Sequence, residues 1–310
     1  MRYALLGLVL SGLVFPISSG SASTEEAHRS LRVLTYNLLH DGPTSGFVNN
    51  GTYLEERLDM VIGELKALDP DIIAVQEASQ SRRHGNVPDR IAQALGFHMI
   101  YAPATDRIFH VPLLDNAVVG IMGFKEGAAI LSRYPILGSE VYDLPRCQSR
   151  LEPRILLRAD IETPWGPVRV FSTHTARGDE CQMDRVSEMV RADDGHGPSI
   201  LMGDFNTVES SKVLTILRDE AGFVDAFRAA NPSDPGATVW QRIEVPQPTV
   251  SRRVDFIFLS RGRSRKANVR SSRVVLDRPG RAADGTILWP SDHYGVFAEL
   301  DVVPAGDQER

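Results

Sequence analysis

The 310-residue chain has only two cysteines, Cys147 and Cys181, and no Cys-x-x-Cys pair. That scarcity argues against a zinc site, while an even pair is consistent with one disulfide in an oxidising compartment. No internal repeat is visible, and past the first residues no apolar run approaches the length of a membrane span. No stretch rich in Pro, Gly or Ser divides the chain. Charge of neither sign dominates, with 34 Lys+Arg against 40 Asp+Glu and a formal net charge of −6. At 42% hydrophobic and 24% charged residues, the composition excludes global disorder and fits a soluble globular protein with a sizeable core.

The N-terminus stands apart. Arg2 precedes an apolar run from Tyr3 to Phe15, then Pro16 and small residues through Gly20-Ser21-Ala22. A charged start, a short apolar core and a small-residue cleavage site predict a secretory signal peptide over residues 1–22, and a secreted or periplasmic protein. No cysteine sits near the cleavage site, so lipoprotein attachment is not supported. Residues 23–310 read as a single domain.

Along that domain strand-like and helix-like segments alternate. Strands are expected at 32–37, 71–77, 128–131, 155–161, 168–172, 199–202, 254–259 and 296–302. Leu54, Leu58, Val61, Ile62, Leu65 and Leu68 recur at helical spacing, and Asp69-Pro70 ends that helix. Further helices are expected around 182–191 and 209–220. Polar, Gly and Pro residues break the pattern between Glu77 and Glu126, which predicts loops covering one end of a sheet. Strands often follow one another directly, so an α/β sandwich of two sheets with outer helices fits better than strict alternation.

Polar residues stand where these strand-like runs end. Asn37 follows Val33-Leu34-Thr35-Tyr36, Glu77 follows Ile72-Ile73-Ala74-Val75-Gln76, and His174 follows Val168–Thr173. Asp204 and Asn206 follow Ile200-Leu201-Met202-Gly203, Asp255 lies within Val254-Asp255-Phe256-Ile257-Phe258-Leu259, and Asp292-His293 follows Trp289-Pro290-Ser291. Buried polar groups must be paired or hydrated, so converging strand ends are a natural site. Glu77 and Asp292 are hard oxygen ligands suited to Mg²⁺. An Asp beside an Asn can orient a water, and a His with a carboxylate partner can donate to a phosphoryl oxygen, which are the needs of phosphoester cleavage. The other histidines (His28, His40, His84, His98, His110 and His196) have no motif context and read as structural or exposed. Asn50-Gly51-Thr52 matches a glycosylation sequon.

The segments Leu34-Thr35-Tyr36-Asn37, Ala74-Val75-Gln76-Glu77, Gly127–Arg133, Ser172-Thr173-His174, Gly203-Asp204-Phe205-Asn206, Val254-Asp255-Phe256-Ile257 and Ser291-Asp292-His293 occur in an order that resembles the endonuclease/exonuclease/phosphatase superfamily, over about residues 31–302. The resemblance implies a DNase I-like, four-layered α/β sandwich with two central, mostly antiparallel sheets flanked by helices. It implies a phosphoester hydrolase that uses Mg²⁺, with Mn²⁺ as the alternative ion. By the same resemblance Glu77 is the main metal-binding carboxylate, with Asn37 and Asp292 nearby. Asp204 orients or deprotonates the attacking water, and Asn206 positions phosphate and water. His293, oriented by Asp255, stabilises the phosphoryl oxygens. His174 matches the second histidine of DNase I-like and sphingomyelinase members, and Glu126 matches a carboxylate that orients it in some members.

The substrate stays open between a lipid headgroup or other small phosphodiester and, as the alternative, a nucleic acid cut by a DNase I-like endonuclease. A non-catalytic binding protein on the same fold is the third reading. No stable protein partner is expected, and the chain reads as a monomer. Ten basic residues against Asp255 and Asp277 between Arg252 and Arg281 suggest either a surface for phosphate-rich material or the solvated face of a loop and strand. Ile108–Leu114 is a candidate apolar contact for membranes, with covered core filler as the other reading.

Overall fold

The computed structural model describes residues 30–40, 53–109, 111–147, 152–192, 197–240, 242–260 and 265–304. The expected signal peptide and the sequon match lie outside the described residues.

The first part of the chain forms β1 (Leu31–Asn37), α1 (Leu54–Leu68), β2 (Ile72–Ser81), β3 (Gly85–Asn86), α2 (Val87–Leu95), β4 (His98–Pro103), α3 (Pro112–Met122), β5 (Phe124–Ser132) and β6 (Ile136–Asp143). The second forms β7 (Ile155–Thr163), β8 (Gly166–His174), α4 (Glu180–Ala192), β9 (Ser199–Asp204), α5 (Lys212–Thr215), β10 (Val224–Asp225) and α6 (Ala226–Ala230). The last runs through β11 (Asp255–Ser260), β12 (Arg265–Val275), β13 (Gly280–Arg281), β14 (Ile287–Leu288) and β15 (Gly295–Pro304).

Two large sheets result. One is seven-stranded in the order β12-β15-β1-β2-β5-β4 with β3 on β2, and the other is six-stranded in the order β10-β11-β9-β8-β7-β6. Only β1–β2 and β8–β9 pair in parallel among the described strands; the remaining pairs are antiparallel. Alternate residues meet between the sheets: Val33, Ile72, Ala74 and Ile130 from one, Val170, Ile200, Met202 and Ile257 from the other. The opposite phase, including Leu34, Ile73 and Leu131, packs on Leu58, Val61 and Leu65 of α1 and Ile91 of α2. Leu156, Phe171, Leu201 and Phe256 pack on Met183 and Val186 of α4 and Leu214 of α5. Helix, sheet, sheet, helix is therefore the layer order. Burial on both faces explains why these strands read as continuous apolar runs.

Helix α1 ends where expected: Asp69 takes a left-handed conformation (φ 50°) and its N–H returns to the Leu65 carbonyl. The region between Glu77 and Glu126 corrects the expectation of loops. It holds α2, started by the Asn86 side chain capping the Asp89 N–H, then β4 and α3. Exposed His98 with half-buried Met99-Ile100 on an edge strand, and the nearly uniform apolar helix Leu113–Ile121, lack the periodicity that marks an element. The helix expected over 209–220 is shorter, with α5 continuing as a π-helical turn through Ile216–Glu220. Cys147 and Cys181 form a disulfide, with Cα atoms 6.5 Å apart.

Candidate active site

Both sheets run out of apolar residues at the same end. The inward phase of β1 passes from Val33 through Thr35 to Asn37, that of β8 from Val170 through Ser172 to His174, and that of β9 from Met202 to Asp204. A polar layer separates core from site: Thr35 Oγ1 lies 3.2 Å from Gln76 Oε1, and Gln76 Nε2 donates to Ser172 Oγ (3.2 Å). The parallel pairs β1–β2 and β8–β9 end here, while antiparallel β11 and β15 begin here. In the six-stranded sheet His174, Asp204 and Asp255 are direct register neighbours.

Glu77 reaches the site through an irregularity. The β2–β5 register shifts between Val75 and Ala78, and Glu77 has φ 49°. A left-handed non-glycine residue costs on the order of 1–3 kcal/mol, and such strain clusters at functional sites. Asn206 is likewise left-handed (φ 48°), its N–H donating to Asp204 Oδ1 at 2.7 Å.

The resulting contacts are close. Asn37 Nδ2 donates to Glu77 Oε1 and Asp204 Oδ2, both at 3.1 Å. His174 Nε2 and His293 Nε2 lie 3.5 and 3.6 Å from the same Asp204 Oδ2. Asn206 Nδ2 is 2.8 Å from His174 Nε2, and His293 Nδ1 is 2.9 Å from Asp255 Oδ2. Ser291 Oγ donates to the Asn37 carbonyl (2.7 Å) and accepts from the His293 N–H (3.2 Å), fixing Asp292-His293 against β1.

Electrostatics separates the two histidines. Burial, with Arg154 adding to it, pushes His174 down to about 4, so its ring is neutral near pH 7. Burial also opposes the charge on His293, but Asp255 and Asp204 outweigh it and raise the imidazole to about 10. Burial would lift Glu77, yet His40, His174 and the Asn37 amide hold it down at about 2. Burial and the Glu77 and Asp204 charges push Asp292 up to about 6.

Eight of the nine residues expected from the sequence therefore meet in one cluster: Asn37, Glu77, His174, Asp204, Asn206, Asp255, Asp292 and His293. Two details differ from expectation. Asn37 turns its amide nitrogen to the carboxylates while its Oδ1 accepts from the Leu39 N–H (3.0 Å), so it clamps Glu77 to Asp204. Glu126 faces Glu77, His40 and Arg154, and no hydrogen bond among the described residues joins it to His174, whose Nδ1 is buried without a partner. Its backbone explains the placement, because the Glu126 N–H donates to Thr105 Oγ1 and its carbonyl accepts from the Ala104 N–H.

Three further residues belong here that the sequence did not point out. His40 Nε2 lies 3.1 Å from Glu77 Oε2, with its ring edge-on to Phe124. Arg154 flanks His174 and Glu126. Arg57 of α1, 1% exposed, donates to the carbonyls of Leu38, Leu39, His40 and Pro290, stapling the turn after β1 to the approach to Asp292. A signal existed for Arg57, a charged residue on the apolar stripe of α1. His40 and Arg154 sit outside regular elements and gave none.

The described members of the basic run do not form one strip. Arg253 is buried in ion pairs with Asp225 and Glu209, Arg273 lies over Phe297, and Arg270 pairs with Asp301 on the edge strand β12.

The model of the endonuclease/exonuclease/phosphatase family matches residues 34–293, the span from β1 to His293 that builds this cluster. The chain belongs to that family. Members of the endonuclease/exonuclease/phosphatase family are phosphoester hydrolases, typically dependent on a divalent metal. No curated protein matches the chain. Solved structures share the family fold. A family protein from Leptotrichia buccalis C-1013-b is 18% identical, with TM-score 0.64 over 87% of this chain and 99% of that one. A mannosyl-6-phosphatase from Bacteroides thetaiotaomicron VPI-5482 is 20% identical, with TM-score 0.63 over 87% and 99%. The human Nocturnin catalytic domain, solved with a bound sulfate anion, is 20% identical, with TM-score 0.62 over 89% and 94%.

The donor set fits the hard divalent cation that the family typically uses. Glu77, Asp204 and Asp292 crowd their charges together, which adds to burial in raising Asp292, and a cation offsets that repulsion.

Proposed function

We propose that the chain is an exported, Mg²⁺-dependent phosphoester hydrolase acting on a phosphodiester of a lipid headgroup or other small molecule. The observation that carries this reading is Asp204, which accepts from the Asn37 amide at one carboxylate oxygen, with the His174 and His293 rings 3.5 and 3.6 Å from that oxygen, and from the Asn206 N–H at the other. Glu77 and Asp292 are the residues that would hold the metal, which when bound neutralises phosphate charge. Asp204, held at both oxygens, orients a water in line with the phosphorus and takes up its proton. His293 carries a positive charge, and donates from Nε2 to the phosphoryl oxygen as charge develops there. Asp255 fixes that ring through Nδ1, and Asn206 and the neutral His174 position the phosphate.

Two features support the finer parts of this reading. A disulfide between Cys147 and Cys181 agrees with an oxidising compartment and hence with export. The apolar helix α3 exposes Leu113 (80%) and Ile121 (87%), and its segment leaves and rejoins the sheet beside Glu126. An exposed apolar helix next to the site suits a headgroup presented by a membrane.

The test is hydrolysis of bis(p-nitrophenyl) phosphate by the mature protein with Mg²⁺. EDTA should abolish it, and Asp204→Asn should lower kcat by about 10³-fold with an unchanged circular dichroism spectrum. An unaffected Asp204→Asn rate overturns the mechanism. Efficient nicking of supercoiled plasmid overturns the substrate assignment in favour of a nuclease.

A further inference from the structure

The dipeptide Arg252-Arg253 splits its two charges between different environments. Arg253 is buried and committed: its Nη2 lies 2.7 Å from Asp225 and 2.8 Å from Glu209, and its guanidinium stacks over Phe256. Arg252 has no ion pair among the described residues.

The backbone fixes where Arg252 points. Arg252 and His293 are both antiparallel bridge partners of Val239. The Thr238 N–H donates to the Arg252 carbonyl (2.8 Å), the Trp240 N–H to the Asp292 carbonyl (3.0 Å) and the Tyr294 N–H to the Thr238 carbonyl (2.7 Å). Residues directly opposite in antiparallel pairs share a face. Arg252, Val239 and His293 therefore face one side, and Trp240 and Tyr294 face the other, where their rings meet at 4.7 Å. Two strand spacings, roughly 10 Å, separate the Arg252 backbone from that of His293.

Beside this patch lies a cavity of about 400 Å³, lined by Val239, Trp240, Val245, Arg242 and Arg252 among others. Arg242 also has no ion pair among the described residues, and no described carboxylate lines the cavity. Two guanidiniums with no ion pair among the described residues, one of them bridged through Val239 to His293, form an electrostatic arrangement that an anion completes.

We infer that this cavity is a second anion subsite, in which Arg252 and Arg242 hold a phosphate covalently joined to the scissile phosphoester. The substrate class is then a phosphoester carrying a second phosphate, an inference that rests on the hydrolase reading above. The second phosphate belongs either to a small bisphosphorylated molecule or to the next diester of a chain, and both present the same anionic oxygens to a guanidinium.

The test compares thymidine 5′-(p-nitrophenyl phosphate) with the same compound bearing a 3′-phosphate. The added phosphate should lower KM about tenfold with kcat little changed, as one charge-assisted contact provides. In Arg252→Ala the two KM values should converge, while Arg270→Ala, on the exposed edge strand, keeps them apart. Equal KM values in the wild type overturn the subsite. If capping the 3′-phosphate as its methyl ester keeps the advantage, the source is the next diester of a chain; if capping abolishes it, the source is a small bisphosphate. Should neither compound release p-nitrophenolate, the hydrolase reading fails separately, and calorimetry with thymidine 3′,5′-bisphosphate still decides the subsite. Binding about tenfold weaker in Arg252→Ala supports it, and equal or absent binding overturns it.

Discussion

The Asn37 amide, at the end of β1 in one sheet, donates to Asp204, at the end of β9 in the other, at 3.1 Å. The same nitrogen donates to Glu77, so one side chain ties the proposed metal carboxylate to the proposed water-orienting carboxylate across the inter-sheet gap. Replacing Asn37 by Ala removes the tie and leaves two buried carboxylates facing each other. We expect kcat on bis(p-nitrophenyl) phosphate to fall about 10²-fold and stability by about 1–3 kcal/mol, read by steady-state rates and urea unfolding. A variant with wild-type rate would show that the link is not used.

The pH dependence of stability has a clear handle outside the site. Glu209 is held down at about 2, first by its hydrogen bonds to Arg228 and then, against burial, by Arg253. A carboxyl lowered in the folded state contributes fully above its ordinary value near 4.5, and the contribution fades as pH falls from there toward 2. Glu209→Gln should therefore be less stable than wild type at pH 7, by about 1 kcal/mol after solvent screening, with the gap closing toward pH 2. Urea titrations at pH 7, 4 and 2.5 check this, and a gap that widens on acidification would contradict it.

The sequence was most legible where strand chemistry and site chemistry coincide. Asn37, His174 and Asp204 extend the inward phase of their strands, so the period-two pattern that announces the core also announces the site at its end. Glu77 was found through its segment, although the bulge that aims it leaves no mark in the residue pattern. His40 escaped because a turn, held from beneath by Arg57, brings it to Glu77, and only the folded chain shows that closure. Strand β6 escaped because it is a partly exposed strand with Gly138 and Ser139 interrupting its apolar positions. The amide orientation of Asn37 and the backbone placement of Glu126 depend on hydrogen bonds to Leu39, Ala104 and Thr105, which no motif spacing encodes.

Helix α3 gives a prediction about the substrate's setting. Asp115 accepts from the N–H groups of Phe109 and Val111, and Arg82 donates to the Gly120 carbonyl, so both ends of the helix are anchored while Leu113 and Ile121 stay exposed. Leu113→Asp combined with Ile121→Asp should leave bis(p-nitrophenyl) phosphate hydrolysis intact. The same pair should reduce activity on phosphodiester lipids in vesicles about tenfold or more, by removing buried apolar area and adding charge. Equal losses on both substrates would mean that the helix supports the fold and does not seat a membrane.

Gly203 tests whether the register of the parallel pair sets the site. It faces Thr173 across β8–β9, one residue before Asp204 meets His174, and a Cβ added there would collide with the Thr173 backbone carbonyl oxygen. Backbone of a central strand has little freedom to yield, so Gly203→Ala must part the two strands next to the catalytic pair. Overpacking of this kind costs about 1–3 kcal/mol, and separating His174 from Asp204 should lower kcat well beyond what that stability loss explains. The control is Gly63→Ala on α1, where an added Cβ meets nothing within 4 Å. There the change should be neutral or stabilise by about 0.5–1 kcal/mol through helix propensity, with activity unaltered. Thermal melts and rates on the two variants separate strand registry from glycine loss in general: a Gly203→Ala enzyme as active as Gly63→Ala would mean that His174 and Asp204 do not need this spacing to work.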